Sequence, residues 1–388
     1  MLEHCKWDPQ VGDQATLASF PVFISTREWG GLASRAEQLA RETVTSEQEL
    51  RESKRARRAL RLPRELARVF DAAADFPASR GVARVMRFDF HFTGDGWRLS
   101  EVNSDVPGGY CEAEGFTTLM AEGFSDCLVP GRPASAWADA VLEGLGSDGS
   151  GVVGLLSAPG YVEDAQVVSY LAARLRARGV ATRLLGPGQI RWESRRAFPH
   201  EAREPFAALL RFYQIEWLAQ TSPATGWPHF ISNGLTLVSN VGCAALSETK
   251  RFPLSWPHLR TAVPAWRAAL SETRAVHDVA FDSNDEWTLK GSYSNCGDAL
   301  IARPWVSAWR WRGAWARALL EPSAWVAQRR FEVLPMDSPL GPLRHCLGVY
   351  VVNGRAAGAY LRLTKRPFID FQAIDAALLV TDAHEDAS

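Results

Sequence analysis

Between residues 84 and 103 the chain alternates apolar and polar positions with a period of two. Met86, Phe88, Phe90 and Phe92 interleave with Arg87, Asp89 and His91, the pattern of a strand with one buried face. Thr93-Gly94-Asp95-Gly96 is a turn signal, and Trp97–Asn103 returns as the second strand of a hairpin. A three-residue loop over 94–96, with Gly96 left-handed, sets Asp89 opposite Glu101 and Arg87 opposite Asn103. A two-residue Asp-Gly loop would slip the register by one and send these groups to opposite faces.

Other stretches carry the helical period. Residues 1–80 read as mostly helical, with mixed charged and apolar spacing over 33–76, and a further helix is expected near 112–125. Ala136–Leu145 reads as a helix capped by Ser135, and SDGSG at 147–151 as a boundary. Residues 151–185 then read as strand, loop, helix, strand, one α/β unit. Its Ala158-Pro159-Gly160 loop lacks the G-x-G-x-x-G spacing, so a small α/β layer is favoured over a dinucleotide site. Lys250 is expected at a helix start, Trp287–Lys290 in a strand before a glycine-bearing loop, and a tryptophan-rich helix over 305–320. The rings of Trp305, Trp309, Trp311 and Trp315 are expected in the core rather than against a ligand. Strands are expected at 324–334, 346–352 and 356–363.

Composition narrows the function classes. With 388 residues, 46% of them hydrophobic, the chain can bury a large core. Its formal charge of −1 gives no net attraction to a polyanion, so nucleic-acid binding is not expected. The basic run Arg51–Arg68 interleaves with glutamates and leucines and reads as a solvated helix face. No window is apolar enough for a membrane span, and the first ten residues lack the order of a signal peptide. The six cysteines are scattered without a C-x-x-C pair, which fits a reducing cytoplasm and argues against a zinc site.

The hairpin is where chemistry concentrates. Two facing carboxylates repel unless something neutralises them. Asp89, Glu101 and the Asn103 carbonyl are hard oxygen donors, suited to Mg²⁺ shared with phosphates; the alternative is a surface hairpin whose charges face water. Only five lysines occur among 43 basic residues, which draws attention to Lys250 and Lys290 as phosphate ligands.

Arg-x-Asp, then Glu-x-Asn twelve residues after the Asp, then a Pro/Gly turn (SEVNSDVPGG) resembles glutathionylspermidine synthase and its relatives. LLRFYQIEWL (209–218), the Lys250 and Lys290 segments, WVAQR (325–329) and VYVVNGRAAGAYLRL (349–363) follow in that family's order. The resemblance implies an α+β fold: a circularly permuted ATP-grasp with a small α/β layer and a helical N-terminal region. In the permutation the metal carboxylates precede the lysines. The implied division is 1–150, carrying the helical region and metal hairpin; 151–240, a substrate-side α/β unit; and 241–388, the lysine, glycine-loop and adenine part.

The resemblance further implies ATP and Mg²⁺ as cofactors and a ligase that joins a small-molecule carboxylate to an amine. Asp89, Glu101 and Asn103 would hold the metal, and Lys250 and Lys290 the α- and β-phosphates. Gly297 would belong to the loop over the phosphates, and Gln328 would line the adenine pocket. Arg87 and Arg362 would stabilise the transferring phosphoryl group. His91 reads either as a base for the amine or as a structural histidine, the latter favoured. Two departures stand out: Gly291 replaces the family's proline after the second lysine, and Ser294 replaces the loop's first glycine. The rival readings are a small-molecule kinase and an inactive nucleotide-binding relative.

Overall fold

In the computed structural model, which describes residues 6–7, 10–11, 14–73, 76–146, 151–280, 285–294 and 299–382, the alternation at 85–103 becomes an antiparallel hairpin. Its strands are Val85–Thr93 and Gly96–Asn103. Thr93 pairs with Gly96, so the turn is the two residues Gly94 and Asp95, tighter than the expected three. Gly96 has φ of +86°, the left-handed region that glycine adopts without penalty. One insertion then corrects the register. Phe90 pairs with Leu99 but Asp89 with Glu101, which leaves Ser100 as a bulge residue and Arg87 opposite Asn103. The facing groups are those expected; a tight turn plus a bulge brings them together.

The hairpin is half of a larger sheet. Five antiparallel strands run in the order Ile374–Ala376, Arg355–Thr364, Arg344–Val352, Val85–Thr93, Gly96–Asn103. Met86, Phe88 and Phe90 are buried on one face with Leu347, Val349 and Val351. The helix Thr26–Glu52 covers that face with Leu32, Ala36 and Leu39; Ser25 caps it by accepting from the Glu28 amide at 3.1 Å. The opposite face carries Arg87, Asp89 and Arg362.

A second sheet has four parallel strands in the order Leu237–Ser239, Ala208–Phe212, Val152–Ser157, Ala181–Leu185. The helix Val162–Arg176 packs on it, as the 151–185 pattern anticipates. The buried Asn240 side chain ties this sheet to the hairpin: its Oδ1 accepts from the Val85 amide at 2.8 Å, and its Nδ2 donates to the Asp105 carbonyl at 2.7 Å. A third, antiparallel sheet runs Thr273–Arg274, Trp325–Arg329, Trp287–Gly291, Leu300–Ala302 and packs on the helix Ala308–Leu320. The protein is thus a mixed α/β fold with parallel and antiparallel sheets.

Several local expectations are corrected. Gln10–Val11, Gln14–Ala15 and Val22–Ile24 are short strands, not helix. The helix expected from Ala136 begins at Pro133, where a proline lacking an N–H is tolerated. Ser135 therefore lies inside it, and Glu114 caps from outside by accepting from the Ser135 amide at 2.8 Å and its hydroxyl at 2.6 Å. Lys250 lies in the turn between Ala245–Glu248 and Phe252–Ser255, not at a helix start. Residues 147–150 of the expected boundary lie outside the described residues. In the basic run, Arg57 is buried and meets Asp71 at 2.9 Å, with Lys54 on the same carboxylate at 2.5 Å. No helix among the described residues is long and apolar enough to cross a membrane.

Candidate active site

Register brings the candidate groups into one row. Across the five-stranded sheet, Tyr360 pairs with Gly348, Gly348 with Asp89, and Asp89 with Glu101. Gly348 is the gap in that row. A Cβ there would sit 2.5 Å from Arg87 Cδ and 2.8 Å from Asp89 Oδ1, so only glycine leaves room for both side chains.

Asp89 is 1% exposed and heavily bonded. Arg87 Nε donates to its Oδ1 at 2.7 Å and Arg87 Nη2 to Oδ2 at 3.0 Å. Asn103 Nδ2 and Arg362 Nη2 reach Oδ2 at 3.1 and 3.3 Å. The Tyr360 ring lies under both guanidinium groups, 5.1 Å from Arg87 and 5.5 Å from Arg362. Its hydroxyl donates to Asp375 at 2.6 Å. Arg362 Nε is buried with no hydrogen-bond partner among the described residues.

The third sheet supplies Lys290, and the turn between Ala245–Glu248 and Phe252–Ser255 supplies Lys250. Lys250 Nζ lies 3.0 Å from Glu101 Oε2 and donates to the Ser294 carbonyl at 2.7 Å. Burial raises the Glu101 carboxyl, but Lys250 and Lys290 outweigh it and hold it down at about 2. Lys290 Nζ donates to the carbonyl of the bulge residue Ser100 at 3.1 Å, with no carboxylate of its own in ion-pair range. Burial presses the Lys290 ammonium down to about 8, with Lys250 pushing the same way. His91 is held on both ring nitrogens, 3.1 Å from the His345 carbonyl and 3.1 Å from Ser100 Oγ, and burial lowers it to about 4. Both ring nitrogens are thus engaged, and the ring also lines the cavity.

Asp89, Glu101, Lys250, Lys290, Gln328 and Arg362 line one cavity. Arg87 and Asn103 touch it through Asp89. Gln328 is buried opposite Thr288 and donates to Thr273 Oγ1 at 3.1 Å. Gly297 lies outside the described residues. Ser294, the departure from the family loop, folds back so that its hydroxyl reaches the Gly291 carbonyl at 3.1 Å.

The charge balance is the telling feature. Arg87, Arg362, Lys250 and Lys290 face two carboxylates, so the buried site carries two surplus positive charges. Unpaired buried charge is costly, and this surplus suits a polyphosphate. Among the described residues no group of three or more His, Cys, Asp or Glu side chains is placed to hold a metal ion by itself. Two carboxylates and an amide carbonyl fit a divalent ion that takes its remaining ligands from phosphate oxygens.

A second group escaped the motif reading. Arg211 and Asp105, both fully buried, form an ion pair, with Arg211 Nη1 2.8 Å from Asp105 Oδ2. Glu248 Oε2 accepts from the amides of Ser104 at 2.5 Å and Asp105 at 2.8 Å. Glu216 has a buried Oε2 with no hydrogen-bond partner among the described residues; burial, then the charges of Asp105 and Glu248, push its carboxyl up to about 8. The signal was present but unweighted: Asp105 stands two residues after Asn103, and Glu248 two before Lys250.

Comparison with known proteins adds the context. The profile of the glutathionylspermidine synthase preATP-grasp family matches residues 13–374. No curated protein sequence matches the chain. Among solved structures, a glutathione synthetase-like effector from Globodera pallida, in its apo form, aligns with a TM-score of 0.66 at 11% identity, covering 94% of this chain and 90% of that one. A remoter likeness, to a provisional gamma-glutamylcysteine synthetase from Methylobacillus flagellatus, has a TM-score of 0.45 at 11% identity, covering 82% and 83%.

Proposed function

The chain belongs to the glutathionylspermidine synthase preATP-grasp family, and from that membership we propose that it is an ATP- and magnesium-dependent ligase joining a small-molecule carboxylate to an amine. The observation that carries this reading is the surplus of two positive charges in a cavity that also holds a facing carboxylate pair. In this reading the fold is a circularly permuted ATP-grasp, with the metal carboxylates at 89–103 ahead of Lys250 and Lys290. Residues 1–150 and 241–388 both contribute strands to the sheet that bears the site; residues 151–240 supply the substrate-side α/β unit.

Asp89, Glu101 and Asn103 would hold Mg²⁺, which when bound neutralises phosphate charge and orients the transferring group. Lys250 and Lys290 bind the α- and β-phosphates, and Gln328 lines the base pocket. The substrate carboxylate takes the γ-phosphoryl group, giving an acyl-phosphate and ADP, and an amine then displaces phosphate. Arg87 and Arg362 stabilise charge on the transferring group; the protein acts by positioning and electrostatics. The resting site prepares for this by pairing its own charges. Arg87 and Arg362 sit on Asp89, and Lys250 on Glu101, so binding exchanges partners: carboxylates pass to the metal and cations to the phosphates. Ser294, which lines the cavity and accepts from Lys250 on its carbonyl, helps to keep water from the acyl-phosphate.

The test is thermal melting with MgATP of the wild type, Glu101→Ala and Lys290→Ala. ATP at about 100 times its dissociation constant stabilises the folded chain by roughly 2.7 kcal/mol. A shift in the wild type that shrinks in both variants supports the reading; no wild-type shift up to millimolar ATP removes it.

A further inference from the structure

The far end of the active-site cavity carries an aromatic contact that the reaction as described does not use. Trp305 and Phe368 both line the cavity, with ring centroids 5.0 Å apart and planes at 32°. They come from opposite walls. Trp305 ends the 3₁₀ turn Arg303–Trp305 that follows the third sheet's edge strand, and Phe368 follows the strand Arg355–Thr364 of the five-stranded sheet. Neither ring belongs to any of the hydrophobic cores, and both are half-buried. Trp311 and Trp315, by contrast, lie in the core beneath the third sheet. The expectation of core rings is therefore corrected for Trp305, whose ring sits on a cavity wall, and for Trp309, which is 76% exposed.

Both walls change character in the same direction. On one, Lys290 pairs with Leu300, and two residues back Thr288 pairs with Ala302, just before the turn that ends in Trp305. Two residues of strand span about 7 Å. On the other wall Arg362 leads to Phe368 six residues on. The cavity thus passes from Lys250, Lys290 and Arg362 to flat aromatic faces, the order of chemistries along a nucleoside triphosphate from phosphate to base; Arg329 and Arg330 also line that end, but Arg329 is held by Glu272 and Glu286, and Arg330 Nε donates to the Asp285 carbonyl. Aromatic faces stack on a nucleobase whatever its hydrogen-bond pattern.

We propose that Trp305 and Phe368 form an aromatic clasp that closes on the nucleotide base and holds it by stacking. The proposal rests on the ligase reading of the same cavity. The clasp joins two sheets at the cavity's end, so it opens to admit the base and closes on it. Selectivity between bases then falls to Gln328, while the clasp supplies affinity.

The experiment compares binding of MgATP and of magnesium tripolyphosphate, which carries the phosphates without a base, to the wild type, Trp305→Ala, Trp305→Phe and Phe368→Leu. In the wild type both ligands bind, ATP the tighter. Trp305→Ala is expected to lose roughly tenfold or more in ATP affinity, the scale of one stacked base, with tripolyphosphate affinity unchanged. Trp305→Phe restores most of it, and Phe368→Leu loses part. Unchanged ATP affinity in Trp305→Ala overturns the clasp and leaves the ligase reading standing, as does an equal loss for both ligands. A wild type that binds neither ligand overturns the ligase reading and the clasp with it.

Discussion

Arg87 precedes Asp89 by two positions on the same strand face and binds both of its carboxylate oxygens, at 2.7 and 3.0 Å. A pair so close in sequence and so deeply buried holds its own geometry, and the neighbouring strand makes room for it only at Gly348. Glycine-to-alanine substitution at 348 is expected to push Arg87 and Asp89 apart. Overpacking of this kind costs about 1–3 kcal/mol, and the stabilisation by MgATP is expected to vanish as well. Leu175→Ala, a core truncation away from the cavity, provides a control of similar or greater cost that keeps the MgATP shift. If Gly348→Ala keeps it too, the pair does not organise the site.

Magnesium is expected to bind only with the nucleotide. Asp89 and Glu101 already hold Arg87, Arg362 and Lys250, and a lone dication would face these three cations and Lys290. Calorimetric titration with Mg²⁺ alone should give no saturable signal, whereas Mg²⁺ added with ATP should. Tight binding of Mg²⁺ alone would mean that the carboxylates are free of their partners at rest.

Lys290, a phosphate ligand in the proposed function, is held at a cost to the fold. Burial lowers its ammonium from the ordinary 10.5 to about 8, so the folded state disfavours its protonated form. That cost is fully present below pH 8 and disappears as pH rises towards 10.5. Lys290→Met is therefore expected to melt higher than the wild type at pH 7, by at most about 3 kcal/mol, with the gain shrinking in alkaline buffer. The same variant should lose MgATP binding. A variant less stable at pH 7 would contradict this account of Lys290.

Glu216 titrates in the opposite sense. Its carboxyl rises from 4.5 to about 8 on burial beside Asp105 and Glu248. The stability tied to its protonated form is complete below pH 4.5 and is lost as pH rises through 8. Glu216→Gln keeps the neutral shape, so its melting advantage should be small at pH 5, grow to about pH 8 and level off at a few kcal/mol. A pH-independent difference would show that Glu216 is ionised in the fold throughout.

What the sequence made legible follows from what leaves a periodic trace. The period-two run from Met86 to Phe92 announced the hairpin, and the spacing of Asp89, Glu101 and Asn103 announced the facing oxygens. The Ser100 bulge left no such trace, because an inserted residue in a strand has no fixed composition. Ser135 was expected to cap a helix on its residue type; Pro133 started that helix earlier, and Glu114, 21 residues away, took the capping role. Lys250 sits between two four-residue helices too short to show a period. Trp305 shares helical spacing with Trp309, but a 3₁₀ turn and then a break separate it from the helix that begins at Ala308. Arg211, Glu216 and Glu248 come from three separate elements, and only the fold gathers them around Asp105.

The most direct test of the account follows oxygen. A pool of small carboxylates labelled with ¹⁸O in the carboxyl group is supplied with MgATP and a pool of amines, and the phosphate and organic products are read by mass spectrometry. A ligase acting through an acyl-phosphate transfers one ¹⁸O to the released phosphate for each amide formed, and Asp89→Asn does neither. Unlabelled phosphate, or a phosphorylated product that accumulates without any amine, would contradict the central claim.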